Sequence, residues 1–220
     1  MSAPTKKLSA GTIAVACVLG VGLFFFPLFH FAPLTPPASA AATLTAPAAF
    51  DPVAAAAKIW ITDLPAAIPG AVELKLLVGA VRENAGTAKA KFAKAAGLGA
   101  VYYFVRGSGK IVERERNYLR VAVDGAGNEI VALRIGPVFG NTVRDGCGIL
   151  DVNSFPGLQE FNDLSAALNA LVEKSVQPAL REKATVGMIV GFAGCAEAPE
   201  SAADAGEPLL TIVPVQAGLR

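Results

Sequence analysis

Residues 100–135, AVYYFVRGSGKIVERERNYLRVAVDGAGNEIVALRI, decide the fold. Leu119, Val121 and Val123 alternate there with polar neighbours, as do Val131, Leu133 and Ile135 around Arg134. Successive side chains on a strand point to opposite faces, so these runs predict strands with one dry face. Gly107-Ser108-Gly109 and Asp124-Gly125-Ala126-Gly127-Asn128 interrupt the apolar runs and read as hairpin turns. The expected strands are 100–106, 111–116, 118–123 and 130–135.

Further along the chain, the same reading predicts a strand over 143–152, a helix over 158–175, and strands over 186–192 and 209–215. Before residue 100 the pattern is helical. Asp51-Pro52 supplies a cap and a first-turn proline for a helix over 51–63, with Val53, Ala57 and Trp60 on one stripe, Ile61 beside them, and Leu64-Pro65 as its stop. A second helix is expected over 70–84, with Val72, Leu76, Gly79 and Ala80 on one side. A third is expected over 87–96, stopping at Gly97. The fold class that follows is α+β: a small, mostly antiparallel OB-like β-barrel (100–220) with an inserted helix and a separate helical subdomain (50–99).

One transmembrane or signal helix precedes this domain. No charged residue occurs between Leu8 and Asp51, and the apolar run from Ala10 to Leu34 follows directly on Lys6 and Lys7. As a helix this run would reach roughly 37 Å, enough for a hydrocarbon core about 30 Å thick. The lysines stay inside, which places everything after residue 40 outside the cytoplasm. Three fates stay open: a retained single-pass anchor, cleavage after Ala40 at the small-residue site Ala38-Ser39-Ala40, and lipidation at Cys17. Pro27 kinks a helix without forbidding a span. Residues 35–49, made of Ala, Thr, Pro and Leu with a single Ser and Phe-free until Phe50, read as a semi-extended tether.

All eighteen acidic residues and seventeen of the nineteen Lys and Arg fall after residue 50, so the domain is near neutral. No basic stripe points to nucleic acid. The single histidine, His30, lies in the apolar segment, so the domain cannot assemble a Ser-His-Asp or Cys-His pair or a His-bearing zinc site. No catalytic residue, cofactor or metal is expected. Gly107-Ser108-Gly109-Lys110 lacks the Gly-Lys-Ser/Thr ending and the following helix of a phosphate loop.

The candidate binding residues are Arg144, Asp145 and Asn169. Arg144-Asp145 is a charged pair in an apolar, glycine-rich block: either a guanidinium fork for a ligand carboxylate or amide, or an ion pair or backbone clamp that fixes the 136–140 loop. Asn169 either satisfies buried backbone or recognises a ligand. Asp145 and Asp151 could form a carboxylate pair for glycoside cleavage, but nothing in the sequence sets their separation. Trp60 and Phe155 read as core anchors. Outside the cytoplasm, Cys147 and Cys195 are candidates for a disulfide closing about 49 residues, worth roughly 4 kcal/mol in the chain-entropy model; two buried free thiols are the alternative.

Several stretches resemble one bacterial family, the predicted periplasmic lipoproteins of domain-of-unknown-function family 2291. The matching residues are Phe50-Asp51-Pro52 with Trp60, Gly107 to Val112, Ile135-Gly136-Pro137-Val138 with Gly140 and Arg144-Asp145, Asn153-Ser154-Phe155, Ala167-Leu168-Asn169, and Ile212-Val213-Pro214-Val215. The resemblance marks Gly136, Pro137, Gly140, Asn153 and Phe155 as structural motif residues. It implies a helical piece joined to an OB-like barrel, an envelope location, membrane association and a gene beside a sugar ABC transporter. It carries no catalytic residue. Gly157-Leu158 stands where relatives are expected to have an Asn-Gln pair. The function expected is a membrane-tethered, non-enzymatic accessory to a sugar ABC-type transporter or another envelope complex. The alternative is a periplasmic module that binds a small molecule or glycan in the barrel mouth.

Overall fold

The structure, a computed structural model, describes residues 50–96, 100–155, 157–204 and 206–220. The apolar run 10–34, the tether 35–49, and with them Cys17, His30, Ala40 and Gly97, lie outside the described residues. Among the described residues no helix is long and apolar enough to cross a membrane.

The chain opens with α1 (Pro52–Lys58), capped as expected by the Asp51 carboxylate, which accepts from the Val53 and Ala54 amides at 2.9 and 3.1 Å. It does not stop at Leu64-Pro65. A π-helical turn (Ile59–Asp63), α2 (Leu64–Ala67) and a 3-10 turn (Ile68–Gly70) continue it, because Pro65 sits in the first turn of α2, where its missing N–H costs nothing. A short β1 (Val72–Glu73) then precedes α3 (Leu74–Glu83) and α4 (Ala85–Phe92). The expected stripes are displaced. Ala56, Ile59 and Leu64 are buried rather than Val53 and Ile61, and Leu74, Leu77, Val78 and Val81 are buried rather than Leu76. The expected third helix ends at Phe92, and its last residues form β2 (Lys94–Ala96), antiparallel to the next strand.

That strand, β3 (Ala100–Arg114), is one fifteen-residue element and not a hairpin. Its glycines serve close approach rather than chain reversal. A Cβ on Gly107 would stand 2.7 Å from the Leu74 Cβ, and one on Gly109 would stand 2.2 Å from the Ala122 carbonyl oxygen. β4 (Tyr118–Val123) and β5 (Ile130–Arg134) follow as the period-two pattern predicts, joined by a turn in which Gly125 and Gly127 take positive φ. The late elements are α5 (Thr142–Gly146), α6 (Leu158–Ser175), α7 (Gln177–Lys183), β6 (Ile189–Glu197) and β7 (Thr211–Leu219). α5 replaces the strand expected over 143–152. Positive φ at Gly140 and Gly148 brackets this segment and turns the chain out of extended geometry at both ends.

β3 pairs with β4, β4 with β5, β5 with β7, β7 with β6, and β6 again with β3, so five strands form a closed hydrogen-bonded circuit. Only β5–β7 is parallel within it. One core, with Tyr103, Val121, Leu133 and Ile212, takes in the α3 stripe. A second, with Phe104, Cys195 and Val213, packs under α1 and α6. Strands buried on both faces explain the unbroken apolar run 101–105 in β3. The helices before residue 100 therefore do not form the expected separate bundle. α1 lies on α6, α3 lies on β3, and the described residues make one compact unit.

Candidate functional site

α6 and α7 carry polar side chains at four-residue spacing, Ser165, Asn169, Glu173 and Gln177. Each meets the segment 136–140, which runs along the helices in the opposite direction. Gln177 Nε2 donates to the Gly136 carbonyl at 2.8 Å, and the Glu173 carboxylate accepts from the Val138 amide at 2.7 Å. Asn169 Nδ2 and Ser165 Oγ both donate to the Gly140 carbonyl at 2.9 Å. Two residues of extended chain advance about 6.6 Å and four helical residues about 6.0 Å, so the two repeats stay nearly in step. The result is a strap. Every second residue of the loop places one backbone group against every fourth residue of the helices, so a loop with no strand partner has its helix-facing groups paired.

Arg144 and Asp145 lie at the far end of this strap, on α5. In place of strand neighbours on opposite faces, they form a buried two-point ion pair, Nε to Oδ1 at 2.6 Å and Nη2 to Oδ2 at 3.0 Å. The remaining Nη1 donates to the Asn162 carbonyl oxygen (Oδ1) at 3.0 Å and to the Phe161 backbone carbonyl at 3.3 Å. The guanidinium carbon stacks 3.7 Å above the Phe161 ring. Arg144 is 6% exposed. It does not clamp the 136–140 carbonyls, as one sequence reading had it; the α6 and α7 side chains do. Gly136 is required because a Cβ would stand 2.4 Å from Asn117 Oδ1, and Gly140 because its φ is +76°. Asn153 turns back on Asp151, with its amide and Nδ2 both 2.9 Å from Oδ1. Phe155 packs edge-on against Phe50 at 5.5 Å and against Phe161 at 4.9 Å, and Trp60 lies partly buried between the two cores.

Cys147 and Cys195 are both buried and free; no bridge joins them. Each thiol points instead to the backbone of α5, Cys147 to the Arg144 carbonyl at 3.3 Å and Cys195 to the Val143 carbonyl at 3.9 Å. Gly146 lets α5 approach β6 this closely, since a Cβ there would stand 2.6 Å from the Cys195 Cβ. Burial raises the pKa of both thiols, that of Cys195 strongly. The neutral form is thus favoured in the folded state. Stability from these groups is complete below the ordinary thiol pKa and declines as pH rises past it, when unfolded thiols ionise and folded ones do not. In a Cys17→Ser chain, native protein at pH 8 should resist alkylation, and denatured, unreduced protein should show two reactive thiols. A count of zero after denaturation would restore the bridge.

Between the strap and α6 runs a groove of about 410 Å³, lined by Phe139, Asn141, Asn162, Ser165, Asn169 and Glu173 among others. Phe139 is 79% exposed at its rim. The buried Asn169 Oδ1 has no hydrogen-bond partner. Asn169 thus belongs to strap and groove together, whereas Arg144 and Asp145 are consumed by packing. Phe139, Asn162 and Glu173 were missed from sequence, although the four-residue polar spacing on the 158–175 helix was legible. Among the described residues no cluster of His, Cys, Asp and Glu could hold a metal ion.

An OB-fold protein from Thermotoga maritima has a similar crystal structure, with a TM-score of 0.66, 23% identity, and coverage of 78% of this chain and 99% of that one. At that identity the likeness establishes the fold, and it agrees with the strand circuit above. No curated protein matches the chain. The sequence pattern of one family matches residues 23–217, nearly the whole length, and the chain therefore belongs to the predicted periplasmic lipoproteins (DUF2291), a family of unknown function.

Proposed function

We propose that the chain is a periplasmic domain tethered to the inner membrane through residues 10–34, built on an OB-type barrel, which serves a transport complex of the sugar ABC type or another envelope complex by contact rather than by catalysis. The observation that carries this reading is the fate of Arg144. The one charged constellation in the family-like block spends four of its five N–H donors on Asp145, Asn162 and Phe161, and its buried guanidinium is closed off from a substrate. The position of the only histidine, His30, points the same way. An envelope setting is supported by Lys6 and Lys7 before an apolar run of spanning length. The test is a reporter active only outside the cytoplasm, fused after Arg220, read together with the N-terminal sequence of the purified protein. Activity with an intact N-terminus is expected. An inactive reporter overturns the location, and an N-terminus at Ala41 overturns the retained anchor while keeping the location.

A second reading, a small-molecule or glycan-binding module, is favoured by the groove beside Phe139. Its polar floor and exposed aromatic rim suit a ligand with hydrogen-bonding groups and one flat apolar face. Phe139→Ala should then leave the melting temperature unchanged and abolish retention of any small molecule seen by native mass spectrometry.

A further inference from the structure

We infer that the outer face of residues 52–70 is a lipid-contacting surface that lays the domain against the headgroup layer of the membrane carrying its tether. This inference rests on the tethered reading above. The continuous helical stretch turns Ala56, Ile59 and Leu64 inward and leaves Val53, Ala54, Lys58, Ile61, Pro65 and Ala66 exposed. Val53 is 68% and Ile61 74% exposed, both two turns apart on one outward stripe. No acidic residue lies on that stripe. The Asp51 carboxylate is engaged in the helix cap, and Asp63 is half-buried on another side. Lys58 is its one charge, and a lysine stem can lie along an apolar surface while its ammonium reaches phosphate.

The stretch of chain ahead of the face names the occupant. Fifteen residues, 35–49, separate the apolar run from Phe50, and α1 begins at Pro52. Fully extended as polyproline helix, that tether reaches only about 46 Å, and as a flexible coil it averages roughly 20 Å. The 52–70 stretch is the first helical surface described after the apolar run in chain order. A face too small to bind lipid alone is held there at high effective concentration, which makes a weak interfacial preference sufficient.

The test uses the full chain carrying Cys17→Ser, reconstituted into vesicles of phosphatidylethanolamine and phosphatidylglycerol. An environment-sensitive fluorophore is placed at Ile61→Cys or, as a control of similar exposure, at Val186→Cys; the burial of Cys147 and Cys195 directs the label to the added thiol. Quenching by nitroxide-bearing lipid should be at least about twofold stronger at 61 than at 186, as interfacial burial requires. Val53→Glu should bring it down to the level at 186 without moving the melting temperature. Failure of the chain to float with the vesicles overturns the tether and this inference together. Flotation with equal quenching at both sites overturns the inference alone, as does a blue shift at 61 without lipid quenching, the result a second copy or a protein partner would give.

Discussion

Gly109→Val should leave no folded protein. Gly109 pairs with Val123 of β4 and Val190 of β6 at once, at the place where β3 closes the five-strand circuit. A Cβ there would lie 2.2 Å from the Ala122 carbonyl oxygen and 2.6 Å from a Val121 methyl. Overpacking against side chains that can turn away costs about 1–3 kcal/mol. Here the obstacle is backbone held in a ladder, so the strands must part, and a loss above about 4 kcal/mol is expected, in the range reserved for a lost structural element. Gly191→Ala is the control: its Cβ would meet nothing within 4 Å, and its melting temperature should match the wild type. Soluble Gly109→Val with an unchanged melting curve would refute the closed pairing of β3.

Arg144→Ala should cost about 3–5 kcal/mol, the penalty for removing one partner of a buried ion pair. The side chains of Arg144 and Asp145 are 6% and 10% exposed. Removing the guanidinium strands the carboxylate away from water, takes away the donor to Asn162 and Phe161, and opens space over the Phe161 ring. In a domain of this size the melting temperature should fall by on the order of 10 °C. Arg144→Lys should recover part of the loss and no more, because a point charge cannot serve both Asp145 oxygens and Asn162 together. Any loss of activity in cells should follow loss of fold. An Arg144→Ala protein that melts like the wild type would move this residue from the packing to a binding site.

The parts of this fold that could be read from sequence are those with a single period and one environment. β4 alternates cleanly because one face is dry, β5 turns Val131 and Leu133 inward as expected although Ala132 between them is buried too, and α6 spans 158–175 as its stripe predicts. β3 misled because glycine in a strand reads as a turn when the neighbour that needs its bare Cα, Leu74 or Ala122, is remote in sequence. α5 misled because its apolar residues are too few to show a helical period, and only the flanking Gly140 and Gly148 betray the break. The outward Val53 and Ile61 were taken for core because hydrophobicity alone does not say which side of a helix is covered. At the site, Arg144 and Asn169 were found by residue type, but the role of the strap depends on a register between loop and helix that only the fold supplies.

The strap itself is the claim on which the structural reading of the family-like block stands, and the Val138 amide reports on it alone, through a 2.7 Å bond to the Glu173 carboxylate. Native-state hydrogen exchange read at this one amide is the direct test. If residues 136–140 are docked on α6 and α7, it exchanges only through large-scale unfolding, with protection near that of the β3–β6 amides, and Glu173→Ala lowers that protection sharply. Exchange at the rate of an open surface loop would contradict the strap.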